Sequence, residues 1–264
     1  MSARSLTFRG YGASIRVDLP ADLDIAAGLR RFVAPELNVE ERDACGPSDL
    51  LLTRWNGTYH LTLGERRYGP YRNMENVYRG ISNGIHFVLG KRSPMTFLHA
   101  GSVELDGSAV VFPGRSRWGK STLVSALVEQ GCGYLSDEYA VVSPEGAVFP
   151  FSRPIRLRRR DGADYVTPTG VSAPGGLPCA AVILTQYEAG STWDPEPVTS
   201  GSAILDTLGS ALQSRDAPEQ VLGAVTAMVR KAVCYKGIRG DGEPTVAALR
   251  GIGRVDEVRQ EMKA

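Results

Sequence analysis

The chain has 264 residues, 42% hydrophobic and 22% charged, which suits one large domain or a core domain with a smaller partner. Its 30 Lys plus Arg against 29 Asp plus Glu leave no bulk field to draw it to nucleic acid, an anionic membrane or acidic substrates, so any phosphate binding has to be local. No apolar run follows the basic residues of MSARSLTFRGYG and no stretch of about 18 apolar residues occurs, so a cytosolic protein without nucleic-acid or membrane partners is expected.

In chain order, residues 5 to 19 alternate loosely, and 50 to 63 predict two strands about the turn Asn56-Gly57. A short helix is expected over 21 to 33. A better one is expected over 73 to 90, where Met74, Val77, Ile81, Ile85 and Leu89 recur at three- and four-residue steps. SVELDGSAVVFPG predicts a hairpin about Asp106-Gly107 whose second strand runs into Gly114. A helix carrying Leu123, Ala126 and Leu127 then stops at Gly131 and Gly133, and strands flank Ser136-Asp137-Glu138. Residues 153 to 178, with the basic run Arg156 to Arg160 and the turn-rich TPTGVSAPGGLP, predict a long loop. A buried strand over 180 to 185, helices over 201 to 213 and 217 to 233, a late strand in CYKGIRG and a terminal helix complete the pattern. Cysteines 45, 132, 179 and 234 lack metal or disulfide spacing and read as buried small residues.

Gly114 to Ser121, GRSRWGKS, fits G-x-x-x-x-G-K-[ST] between a strand and a helix. Such a loop needs backbone N–H groups converging on phosphate at a helix N-terminus, an ammonium at the terminal phosphates and a hydroxyl on Mg²⁺. Gly114, Gly119, Lys120 and Ser121 supply these. The candidate ATP-binding stretch is therefore Gly114, Arg115, Ser116, Arg117, Trp118, Gly119, Lys120, Ser121 and Thr122. Arg117 either adds charge to the cradle or faces solvent, and Trp118 either covers a base or packs.

His99, Gly114, Ser116, Gly119, Lys120, Ser121, Asp137 and Glu138 together resemble the catalytic domain of the HPr serine kinase/phosphorylase family. The resemblance covers about 96 to 145. It extends to shorter stand-alone relatives with YLSDE-like strings, some of which phosphorylate serine in precursor peptides of natural-product pathways. Arg117 departs from it, standing where the family usually has glycine. The family's later signature has no counterpart in RPIRLRRRDG, so phosphorolysis and a hexamer do not carry over.

The resemblance implies an α/β fold: a phosphate-loop kinase core of the HPr kinase/carboxykinase type, its mixed sheet having an antiparallel hairpin before the loop. Residues 96 to 264 would be this catalytic domain and residues 1 to 95 a small α+β subdomain, either a cover for the core sheet or an acceptor-recognition unit using a strand edge in 50 to 63. It further implies an ATP- and Mg²⁺-dependent kinase acting on a Ser or Thr of a peptide or small protein. Asp137 would be the base, with His99 and Lys120 catalytic and Ser121 and Glu138 at the metal. Arg153 and Arg156 either meet the phosphoryl group or lie on a solvated face. A nucleotide-binding switch and a small-molecule kinase stand as alternatives; homo-oligomerisation, the acceptor and the nucleotide are left open by the sequence.

Overall fold

The computed structural model describes residues 4–43, 46–159, 162–168, 170 and 175–240. The expected terminal helix, Cys45 and Arg160 lie outside them. The protein is mixed α/β, and the chain divides into two compact units, Met1–Pro94 and Met95–Ala264.

In the first unit β1 (Arg4–Gly10), β2 (Ala13–Leu19), β3 (Asn38–Asp43), β4 (Leu50–Trp55), β5 (Thr58–Leu63) and β6 (Arg66–Tyr71) form one sheet in the order β3-β1-β2-β4-β5-β6. Only β2 and β4 run parallel. The turn between β4 and β5 has Asn56 and Gly57 both at positive φ, 48° and 72°, the backbone that a two-residue hairpin requires and Asn-Gly tolerates. The helical period over 73 to 90 becomes α2 (Met74–Arg92), whose side chains Val77, Ile81, Ile85 and Leu89 are buried. Each such side chain contributes about 1.5–3 kcal/mol of burial. The Asn73 side chain accepts from the Asn76 N–H at 2.9 Å at its start, and Lys91 and Arg92 lie in the last turn, where the helix dipole favours cations.

Two expectations fail here. The helix over 21 to 33 shrinks to the single turn α1 (Ala26–Leu29), which has no side-chain cap; one turn fixes many dihedrals for few hydrogen bonds. The stretch 50 to 63 is not a sheet edge. β4 lies between β2 and β5, and β5 between β4 and β6, so the outermost strands are β3 and β6, although β2 pairs with β4 only at Leu50 and Leu51.

In the second unit, β7 (Thr96–Leu105), β8 (Ser108–Pro113), β9 (Gly133–Ser136), β10 (Tyr139–Val142), β11 (Val148–Phe149), β14 (Cys179–Tyr187), β15 (Glu196–Pro197) and β16 (Val233–Arg239) build a sheet. Its order is β11-β10-β7-β8-β14-β16-β15, with β9 also on β7. β8, β14 and β16 are parallel; β7 and β8 are the antiparallel hairpin. Side chains alternate between two cores. Leu98, Ala100, Val111, Val182 and Leu184 meet α4 (Ser200–Leu208) and α5 (Pro218–Val229) on one face. Val103, Val110, Phe112, Ala181 and Ile183 meet α3 (Lys120–Glu129) on the other. Cys132, Cys179 and Cys234 are buried.

The expected loop over 153 to 178 is partly a hairpin, β12 (Ile155–Arg159) with β13 (Gly162–Val166). Ile155 is buried in the core under α3 and Leu157 packs against it, so the described part of the basic run, 156 to 159, lies in a strand of this hairpin rather than in a free loop.

Candidate functional site

The hairpin β7-β8 delivers the glycine-rich loop and the parallel strands beside it receive the loop, because β8 ends at Pro113 and α3 begins at Lys120. Gly119 caps α3 at φ 78°. A Cβ on Gly119 would run into the Arg239 guanidinium and lie 3.2 Å from Tyr187 Cβ, so this position excludes a side chain by conformation and by space. At Gly114 a Cβ would come within 2.8 Å of the Trp118 ring. Arg117 has φ 74°. It therefore takes the left-handed conformation that glycine adopts without strain, and the loop keeps its shape with an arginine in place.

Lys120 is buried, and its ammonium donates to the Gly114 carbonyl at 2.8 Å and the Arg115 carbonyl at 2.9 Å. His99 is tied to the same point. Its N–H donates to Ser210 O at 2.7 Å, its carbonyl accepts from Gly114 N, and Nδ1 lies 2.9 Å from Gly114 O. The Lys120 ammonium lies 3.4 Å from the same Nδ1, which thus stands between a carbonyl acceptor and a cationic donor. Burial, then the Lys120 ammonium, pushes the His99 pKa down, so the imidazole is neutral near pH 7.

Asp137 and Glu138 occupy the interruption between β9 and β10. β7 pairs with both strands, through Ser102 to Ser136 and His99 to Tyr139. The Ser136 hydroxyl accepts from the Glu138 and Tyr139 N–H groups at 3.2 and 3.0 Å, satisfying the donors where the strand breaks. Asp137 is only 8% exposed. Burial raises its pKa, opposed by a hydrogen bond with the Ser121 hydroxyl and reinforced by the Glu138 charge. The Tyr134 hydroxyl lies 3.2 Å from Asp137 Oδ1 and 2.7 Å from Arg153 O. Glu138 pairs with Arg153 at 2.6 Å.

These groups meet in a cavity of about 360 Å³ lined by His99, Ser116, Arg117, Gly119 to Thr122, Asp137, Glu138 and Arg156. Gly114, Arg115 and Trp118 instead face a second cavity of about 750 Å³, which shares His99 and Ser116 with the first. It opens at the carboxyl ends of β14 and β16, where ligands of parallel sheets commonly sit. Arg153 touches the site through Glu138.

No family model matches the chain, and no curated protein matches it. Among solved structures, the HPr(Ser) kinase/phosphatase from Coxiella burnetii is similar at 14% sequence identity and a TM-score of 0.34, over 64% of this chain and 99% of that one. A likeness at that level does not bear on the chemistry of the site, which rests on the geometry above.

Two groups at the site carry no sequence signal of their own. Arg239, 2% exposed, donates through Nη2 to Gly119 O at 2.6 Å and lies 5.5 Å from the Tyr187 ring. It stands in an ordinary strand of mixed composition. Ser136 is one of many serines, and only its place before two acidic residues hints at the turn it makes. Among the described residues no three His, Cys, Asp or Glu side chains converge as a metal cluster, and no helix is long and apolar enough to cross a membrane. The oxygen donors of Ser121, Asp137 and Glu138, which line one cavity, suit a hard cation that keeps part of its water shell.

Proposed function

We propose that the second unit is an ATP-dependent phosphotransferase of the HPr kinase type, acting on a Ser or Thr hydroxyl of a peptide or small protein, such as a precursor peptide. The observation that carries this reading is a buried carboxylate, Asp137, in the same cavity as Lys120, Ser121 and the N-terminus of α3. Gly114 to Thr122 would hold the nucleotide, with backbone N–H groups and Lys120 on its phosphates. Ser121 and Glu138 would hold Mg²⁺, which neutralises phosphate charge when bound.

In the transfer, the acceptor oxygen bonds to the γ-phosphorus as the bond from that phosphorus to the ADP oxygen breaks. Asp137 takes the hydroxyl proton. Its raised pKa strengthens the carboxylate as a base. His99, neutral, lines the same cavity, and Arg153 fixes Glu138 by its 2.6 Å ion pair.

The place of Ser121 and Asp137 in one cavity with His99 favours a second reading in which Asp137 serves the metal and His99 is the base. Incubation with γ-labelled ATP, Mg²⁺ and a set of serine and threonine peptides tests the assignment. Label should appear on peptide with the wild-type chain and be lost with Lys120→Ala. Under the first reading His99→Gln keeps most of the transfer, and under the second it abolishes it. Nucleotide binding with no transfer to any acceptor would make the unit a switch instead.

A further inference from the structure

Two arginines stand at the start of the β12-β13 hairpin, and they differ in what they face. Arg153 is engaged by Glu138 through the 2.6 Å ion pair. Arg156 lines the smaller cavity with Lys120, Ser121, Asp137 and Glu138, yet among the described residues it has no ion-pair partner. Its Nε is shut off from water and likewise has no hydrogen-bond partner among them. A guanidinium keeps its charge at every accessible pH, so its burial is not relieved by losing a proton. A buried donor left unsatisfied costs stability until an acceptor arrives.

The fold holds this side chain on a supported strand. Ile155 and Leu157, on either side of Arg156, pack on the core under α3, and Arg156 is paired across the hairpin with Tyr165. The strand therefore rests on the helix whose first residues, Lys120 to Thr122, line the same cavity. A group placed in this way loses less freedom on meeting a ligand than one on a free loop.

The other groups of the cavity decide which anion fits. Asp137 and Glu138 are both there, and an acidic side chain of an acceptor would be repelled by both. A nucleoside triphosphate brings a divalent cation that offsets these carboxylates, and its terminal phosphate offers the paired oxygens that a guanidinium fork matches. Building on the phosphotransferase reading, we infer that Arg156 is a further catalytic residue, whose guanidinium binds the γ-phosphoryl group and stabilises it in transfer. As the acceptor oxygen bonds to phosphorus and the bond to the ADP oxygen breaks, Arg156 donates hydrogen bonds to the phosphoryl oxygens and gives up no proton. The proton of the acceptor hydroxyl passes to Asp137.

The test uses the full chain with Arg156→Met, which keeps an apolar stem, and Arg156→Lys, which keeps the charge without the fork. Mg·ADP with aluminium fluoride mimics the phosphoryl group in transfer. The wild type should hold Mg·ADP at least about tenfold more tightly with the fluoride, Arg156→Met should lose that gain, and the Kd for Mg·ADP alone should stay within about twofold. With γ-labelled ATP and a serine peptide, Arg156→Met should lower kcat by about 10³-fold at an unchanged KM for the peptide, and Arg156→Lys should recover part of the loss. The Tm of Arg156→Met should equal or exceed that of the wild type, because the unsatisfied donor is gone. Transfer by Arg156→Met at the wild-type rate overturns the role of Arg156 alone. A raised peptide KM with the fluoride gain intact would put the guanidinium on the acceptor, and a matching loss of Mg·ADP affinity would put it on the inner phosphates. A lower Tm with every activity reduced alike would make it structural; each of these three overturns the inference. A wild-type chain that shows neither the fluoride gain nor transfer to any peptide overturns both the inference and the reading beneath it.

Discussion

Burial sets the ionisation of Asp137 apart from that of an exposed carboxylate, and this has a consequence for stability. Its folded pKa is raised, so the native state binds the proton more tightly than the unfolded chain does. The resulting stability is present below the ordinary carboxylate range and is lost as pH rises through the raised value. Asp137→Asn should therefore have a higher Tm than the wild type at pH 7, and the difference should vanish in acid. Melting curves across pH check this; equal Tm at pH 7 would mean that the Ser121 and Tyr134 hydrogen bonds offset the burial. Arg117 supplies a second prediction. It already holds φ 74°, so Arg117→Gly is compatible with the loop backbone and removes the guanidinium. A fall in ATP affinity of about three- to tenfold, near 1 kcal/mol, would place the guanidinium on phosphate; unchanged affinity by calorimetry would place it in solvent.

Among the elements, the hairpin, α3 and the strand break were readable because each has a local cause. Asp106-Gly107 turns the chain, the apolar spacing of Leu123 and Leu127 defines a face, and Gly131 at φ 96° ends the helix. Strands β3 and β6 were not readable. NVEERD and RRYGPY are the two edges of the first sheet, largely exposed, and an edge strand without a buried face shows no alternation. The β12-β13 hairpin was hidden for a related reason: its arginines alternate with the core-packing Ile155 and Leu157. Within the site the motif residues were legible, whereas Arg239 was not, because its partner is a backbone carbonyl 120 positions away. β16 thus braces the loop from the parallel side. Arg239→Met removes the bond to Gly119 O while keeping bulk. Nucleotide affinity should drop by about tenfold as the loop loosens, consistent with the worth of a charged hydrogen bond. Gly119→Ala should do at least as much, and binding isotherms of both variants check the brace.

For the whole molecule, every proposed site residue lies in Met95–Ala264. Hydrogen exchange with Mg·ADP should then show added protection in the loop 114 to 122 and around 136 to 139, with residues 4 to 94 unchanged. Protection gained in the first unit instead would assign it a part in nucleotide binding. The central claim, that Asp137 takes a proton from an acceptor hydroxyl, is tested most directly by single-turnover transfer from γ-labelled ATP to a serine peptide, comparing Asp137→Asn with the wild type. The account predicts a rate lower by about two to four orders of magnitude with the Kd for Mg·ATP nearly unchanged. Transfer at the wild-type rate would contradict it.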